Sequence, residues 1–227
     1  MGRPLFKSPR PFPRRDLKGE KKQQMEGNTL YLEFLKAKND YLTASRKAAA
    51  AGLAAASGGN ISVRIPGTEQ MIIKPSGVTF SDVDESNLIV TELDGTLTEG
   101  SLRPTKETIL HGGLYRLFPS AGAVVHVHPV YSIMCANVYD EIPLVTKQMK
   151  QIMDCPVPVC KIKSNTVDEK GMAMIREMLE KHPGACCFLL EEHGAVAFAK
   201  NAADAENYAE LVEENSRVYW ETAGRVR

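Results

Sequence analysis

The sequence carries no excess charge of either sign, no long apolar run and no paired-cysteine motif, and each absence removes a class of function. Lys and Arg number 28 and so do Asp and Glu, which argues against nucleic acid as the main partner, because that partner calls for a basic face. No stretch approaches the roughly 20 apolar residues that span a bilayer. The N-terminus also lacks the apolar core of a secretory signal. No membrane partner and a cytoplasmic location are therefore expected. The five cysteines, Cys135, Cys155, Cys160, Cys186 and Cys187, show no C-x-x-C spacing, so reduced thiols are expected. Cys186 and Cys187 sit inside an apolar run, where cysteine packs as a small hydrophobe. Walker A loops and G-x-G-x-x-G fingerprints are absent too, and a nucleotide cofactor is not indicated.

What remains is a chain of 227 residues with 43% hydrophobic composition, enough to bury a core in one domain. Residues 1–26 interleave prolines with lysines and arginines. Such a segment buries too little to offset its ordering entropy, and it reads as a disordered basic leader. Residues 27–227 read as a single catalytic domain. A helix or helix pair runs from about Asn28 through the Ala-rich Ser45 to Ala56 and stops at Ser57-Gly58-Gly59-Asn60. Strands are expected at Ile61–Ile65, Gln70–Lys74 and Leu88–Leu93, the last entering an Asp94-Gly95 hairpin turn. A helix from Glu107 to Arg116, a strand at 123–128 and a helix from Ser132 to Val138 follow. Residues 144–166 read as irregular. Helix 168–181, strands 185–190 and 195–199 and a closing helix 204–219 complete a three-layer arrangement.

His126 and His128 stand two apart in the β-branched run Ala123-Val124-Val125-His126-Val127-His128-Pro129. The period of a strand puts both imidazoles on one face, as a metal pair or as two structural histidines. His193, in the Glu191-Glu192-His193-Gly194 turn, is the third ligand in the metal reading. Three histidines leave a fourth position open, the catalytic arrangement of zinc. His111 and His182 read as structural or solvated. Glu107 opens a helix just before the metal strand, where it either complements the helix dipole or acts as general base. The turns Gly58-Gly59-Asn60, Pro75-Ser76-Gly77 and Pro104-Thr105-Lys106 either form an anion cradle or serve only as hairpin turns.

The order of these motifs is recognisable: Ser57-Gly58-Gly59-Asn60-Ile61-Ser62, Lys74-Pro75-Ser76-Gly77, Pro104-Thr105-Lys106-Glu107 with His111 and Tyr115, Ala123 to His128, then His193-Gly194. It resembles the class II aldolase/adducin-head family of fuculose- and rhamnulose-phosphate aldolases, ribulose-phosphate 4-epimerases and phosphorylated-sugar-acid decarboxylases. The resemblance implies an α/β/α sandwich around a mainly antiparallel sheet. It implies that His126, His128 and His193 bind a divalent metal, zinc or alternatively manganese, and that Glu107 is the catalytic acid/base. Gly59, Asn60, Ser76, Gly77, Thr105 and Lys106 match positions that hold a substrate phosphate. Homotetramers with active sites between subunits, acting on a small phosphorylated sugar or sugar acid, are also implied.

The function expected on this basis is a lyase that cleaves a carbon–carbon bond in a phosphorylated keto-sugar through a metal-stabilised enediolate. One alternative is a 3-oxo-tetronate 4-phosphate decarboxylase-like enzyme, which the Thr105-Lys106-Glu107 triplet resembles. Another, from a different class, is a non-catalytic adducin-head-like binding module, although such modules lose the metal ligands present here. The 4-epimerase is disfavoured, because Gln151 replaces an expected aspartate and the sequence ends at Arg227 before that branch's tyrosine. Lys147 replaces a tyrosine of fuculose-type aldolases and weakens that reading.

Overall fold

The fully buried strand β5 (Ala123–Val127) organises the molecule. A computed structural model describes residues 17–223, with side chains from residue 24 onward. Alternate residues of a strand face opposite ways, so complete burial of all of β5 requires cover on both faces. The other strands are β1 (Asn60–Arg64), β2 (Gln70–Ile73), β3 (Ile89–Glu92), β4 (Leu97–Glu99), β6 (Glu141–Ile142), β7 (Val157–Cys160), β8 (Cys187–Leu190) and β9 (Gly194–Ala199). They form one sheet in the order β4-β3-β2-β1-β5-β9-β8-β7-β6. All neighbours are antiparallel except β7 and β8.

The helices fall into two groups. Helices α1 (Leu17–Ala50), α3 (Val130–Ala136), α4 (Met149–Ile152) and α6 (Ala202–Thr222) pack around α6. Helices α2 (Thr108–Leu117) and α5 (Glu169–Lys181) pack on each other. The result is the expected α/β/α layering around a mainly antiparallel sheet. Local chemistry explains the ends: Asp168 and Asn201 cap α5 and α6 with side-chain oxygens that accept from Gly171 and Asp204 N–H. Helix α2 instead starts at Glu107 with no side-chain cap bond, which leaves that carboxylate free for other partners.

Two sequence expectations change. Helix α1 is continuous from Leu17, inside the segment assigned to a disordered leader; residues 1–16 and 224–227 lie outside the described residues. The supposedly irregular 144–166 holds α4 and β7. Pro156 and Pro158 argue against a strand because proline cannot donate to a ladder. Here Pro158 sits opposite Glu141 of the two-residue β6, and the parallel β7–β8 ladder is made by Val159 and Cys160.

Register positions the site. Asn60 of β1 and Val196 of β9 both pair with His126 of β5. Because both neighbours run antiparallel to β5, their N-terminal ends meet its C-terminal end. The Gly-Asn turn before β1 and the His193 turn before β9 are therefore delivered to one place.

The α1–α6 layer contains a titratable weak point. Glu206 of α6 is fully buried, and burial, reinforced by the neighbouring Glu210 carboxylate, pushes its pKa up to about 7 against the opposing pull of Lys47. The folded state then holds a proton that the unfolded state releases at about pH 4.5. Stability from this group falls as pH rises from that value to about 7 and is level above it. Glu206→Gln should flatten that slope and raise the melting temperature at pH 8 by about 2–4 °C, as read by circular dichroism melts across pH.

Candidate active site

The three histidines meet at their Nε2 atoms. His126 Nε2 lies 3.2 Å from His193 Nε2 and 3.1 Å from His128 Nε2, and among the described residues these three form a group that could hold a metal ion. Four tetrahedral ligands at about 2.05 Å from zinc stand about 3.3 Å apart, so the donor set fits a divalent ion. The His126 Nδ1–H donates to the Ala195 carbonyl at 3.0 Å, which fixes the tautomer that leaves Nε2 with a lone pair. Burial, and then repulsion from His193 and His128, holds the His126 pKa well below its ordinary value. Burial, then His193 and Lys74, lowers His128 to about 4, and burial lowers His193. All three rings are neutral at pH 7, the form that ligates metal.

Two glycines allow this convergence. Gly194 has φ +152, and a Cβ there would stand 2.1 Å from the Val127 carbonyl oxygen. A side chain would push the β8–β9 turn, and His193 with it, off the end of β5. Gly58 lies so close to the cluster that its Cβ would stand 2.9 Å from His128 Nδ1.

Beside the cluster lies a cavity of about 200 Å³. His128 and His193 line it together with Glu107 and the residues of all three polar turns: Gly59 and Asn60, Ser76 and Gly77, Thr105 and Lys106. The fully buried His126 meets it through the other two rings. The structure therefore gathers every site residue expected from the sequence. Glu107 is 5% exposed; burial pushes its pKa up to about 7, against the Val167 N–H, which donates to Oε2 at 3.3 Å. A carboxyl group with that pKa can both take and give a proton at neutral pH.

Four buried polar side chains to which the sequence reading gave no role in the site stand beside it. Lys74 is only 2% exposed, its Nζ donating to the carbonyls of Ser57, at 3.2 Å, and Val78. It sits 5.5 Å from the Phe80 ring centroid, and burial lowers its pKa to about 8. It thereby ties two of the cavity turns together. Ser62, His111 and Tyr115 form a buried hydrogen-bonded chain behind Asn60. One signal was available, since His111 and Tyr115 are four apart and share a helix face.

Residues 39–220 match the family described as Class II Aldolase and Adducin N-terminal domain. L-ribulose-5-phosphate 4-epimerase UlaF of Salmonella paratyphi B is 28% identical over 180 residues, covering 76% of this chain and 79% of that protein. The Salmonella typhi protein of the same name gives the same figures, 28% over 180 residues. Among solved structures, an L-fuculose 1-phosphate aldolase superposes with TM-score 0.75 at 25% identity, covering 85% of this chain and 88% of the other. An L-fuculose-1-phosphate aldolase from Thermus thermophilus gives TM-score 0.70 at 24% identity, covering 85% and 100%, and shows the shared fold.

These relatives correct the functional expectation, which placed a carbon–carbon lyase first and disfavoured the 4-epimerase. The curated relatives bear the epimerase name, and the fuculose aldolase supports an aldolase only as a family resemblance. Gln151, one of the two grounds for that disfavour, is an exposed residue of α4 outside the cavity lining. One such position weighs less than similarity over 180 residues. By its matched residues and its fold, the chain belongs to the class II aldolase and adducin N-terminal domain family.

Proposed function

We propose that this chain is a divalent-metal enzyme that inverts a hydroxyl-bearing carbon of a phosphorylated ketose, as relatives named L-ribulose-5-phosphate 4-epimerase do. The observation that carries the reading is the shared cavity, where a three-histidine cluster, a carboxyl group near pKa 7 and three donor-rich turns face one another. His126, His128 and His193 are the proposed ligands, and zinc is the proposed ion because three neutral imidazoles suit it. When bound, the metal supplies Lewis acidity to a substrate carbonyl.

The chemistry explains why an epimerase shares an aldolase fold. In a 2-ketose, C4 is β to the ketone, and its hydrogen is not acidic. Inversion there follows from opening the C3–C4 bond, turning the aldehyde fragment and closing the bond again. On opening, the C4 hydroxyl gives its proton to Glu107, the C4–O bond becomes a carbonyl, and the C3–C4 electron pair moves toward the ketone end. Closing reverses each transfer, with no net gain or loss of atoms. The fragment must stay in place while it turns. Gly59, Asn60, Ser76, Gly77, Thr105 and Lys106 are proposed to hold it by its phosphate through backbone N–H groups, hydroxyls, an amide and an ammonium.

A homotetramer is the proposed assembly, in keeping with the family resemblance. Exposed Val130 and Val138, at 64% and 59%, stand at the start of α3 and just past its end, next to β5. The five free cysteines fit a reducing compartment such as the cytoplasm. Among the described residues, no helix is long and apolar enough to cross a membrane.

Metal-loaded protein incubated with L-ribulose 5-phosphate should form its C4 epimer without accumulating free aldehyde, as followed by carbon-13 NMR. Absence of the epimer would overturn the proposed reaction. Glu107→Gln should keep its metal and lose about a hundredfold or more in kcat; near-normal turnover would place the proton transfer elsewhere. His126→Ala should lose the metal itself, as measured by elemental analysis of the dialysed protein.

A further inference from the structure

The buried chain behind Asn60 is the feature that the reaction does not use. Ser62 Oγ lies 2.7 Å from His111 Nδ1 and 2.8 Å from the Tyr115 hydroxyl, and His111 Nε2 meets Asn60 Oδ1. Asn60 Nδ2 points the other way, donating to Thr105 Oγ1 at 3.4 Å on the cavity wall. We propose that His111 is a positioning residue: it locks the Asn60 amide with its N–H side toward the cavity, so that this wall accepts an anionic oxygen and repels none.

The direction of every bond in the chain follows from donor and acceptor chemistry. An amide oxygen only accepts, so His111 Nε2 carries a hydrogen. His111 is fully buried, and desolvation lowers its pKa to about 3. It is therefore neutral at pH 7 and has one ring hydrogen, which leaves Nδ1 as an acceptor. Ser62 must then donate to Nδ1, and its oxygen is open to Tyr115. Ser62 has a single hydrogen and gives it to Nδ1, so in the 2.8 Å contact the Tyr115 hydroxyl is the donor; burial pushes the Tyr115 pKa up, and the hydroxyl keeps its hydrogen. The chain runs one way, from Tyr115 through Ser62 and His111 to Asn60. In the reverse polarity Asn60 would turn its oxygen toward the cavity, and an oxygen there would repel a phosphate.

The consequence is selectivity without contact. His111, Ser62 and Tyr115 do not line the cavity, yet their hydrogen-bond order sets the sign of the dipole that Asn60 presents. A neutral sugar gains little from that sign, whereas an anion gains a charge-assisted hydrogen bond. The inference rests on the phosphate reading proposed above, and the test separates the two.

Inorganic phosphate binding to the zinc-loaded full chain is measured by titration calorimetry, with metal content and melting temperature recorded for each variant. His111→Phe should weaken phosphate binding roughly tenfold or more. His111→Gln, whose amide can donate to Asn60 and accept from Ser62, should restore it to within about threefold. The double variant His111→Phe with Asn60→Ala should bind no more weakly than Asn60→Ala alone, as expected of a residue acting through another. Ser62→Ala is the smaller change and covers the case in which His111→Phe does not fold. By freeing the His111 tautomer it should weaken binding about threefold or more. Phosphate affinity unchanged in folded His111→Phe or Ser62→Ala overturns the inference alone, as does additive loss in the double variant. No phosphate binding by the unaltered protein removes the phosphate reading and this inference together.

Discussion

Antiparallel pairing of β5 with β1 on one side and β9 on the other is the constraint on which the site depends. It brings the ends of three strands to one point, so that Asn60, His126 and His193 converge although they are far apart in the chain. The ladder bonds hold each backbone, and the buried faces of β5 allow no slip, because a shift of one residue would turn His126 away from its partners. Gly194 and Gly58 complete the arrangement by letting two turns press against the strand where a Cβ would not fit.

Electrostatics then work against folding and in favour of chemistry. Three imidazoles are kept neutral with their Nε2 atoms converging, Glu107 is desolvated to a pKa of about 7, and Lys74 is buried with carbonyl partners at a pKa of about 8. Perturbed groups of this kind concentrate at functional sites because each form costs less to interconvert there. A divalent cation bound at the imidazoles would offset much of this cost, by replacing three converging lone pairs with three bonds. The Tyr115–Ser62–His111–Asn60 chain contributes in another way, since every buried donor in it meets an acceptor.

The sequence is readable where the chemistry is local. His126 and His128 announce a shared face through the two-residue period of a strand, and His193 through its glycine turn. The polar turns at 58–60, 75–77 and 104–106 are legible from their residue types, although their meeting in one cavity is not. Long-range partners decide the rest. Pro156 and Pro158 argue against a strand, yet Pro158 tolerates the short β6 neighbour while Val159 and Cys160 carry the ladder with β8. His111 reads as a structural histidine because its role depends on Asn60 and Ser62, which reach it from β1. The choice among reactions fails for a related reason: Gln151 and Lys147, on which it leaned, are not among the residues lining the cavity.

The central claim is that His126, His128 and His193 hold a divalent metal facing the cavity. X-ray absorption on the purified protein reconstituted with zinc addresses it directly. One ion per chain with three nitrogen ligands at about 2.0–2.1 Å and additional light-atom scattering from the open position is the predicted result. Failure to retain zinc, or coordination dominated by sulfur, would contradict the account.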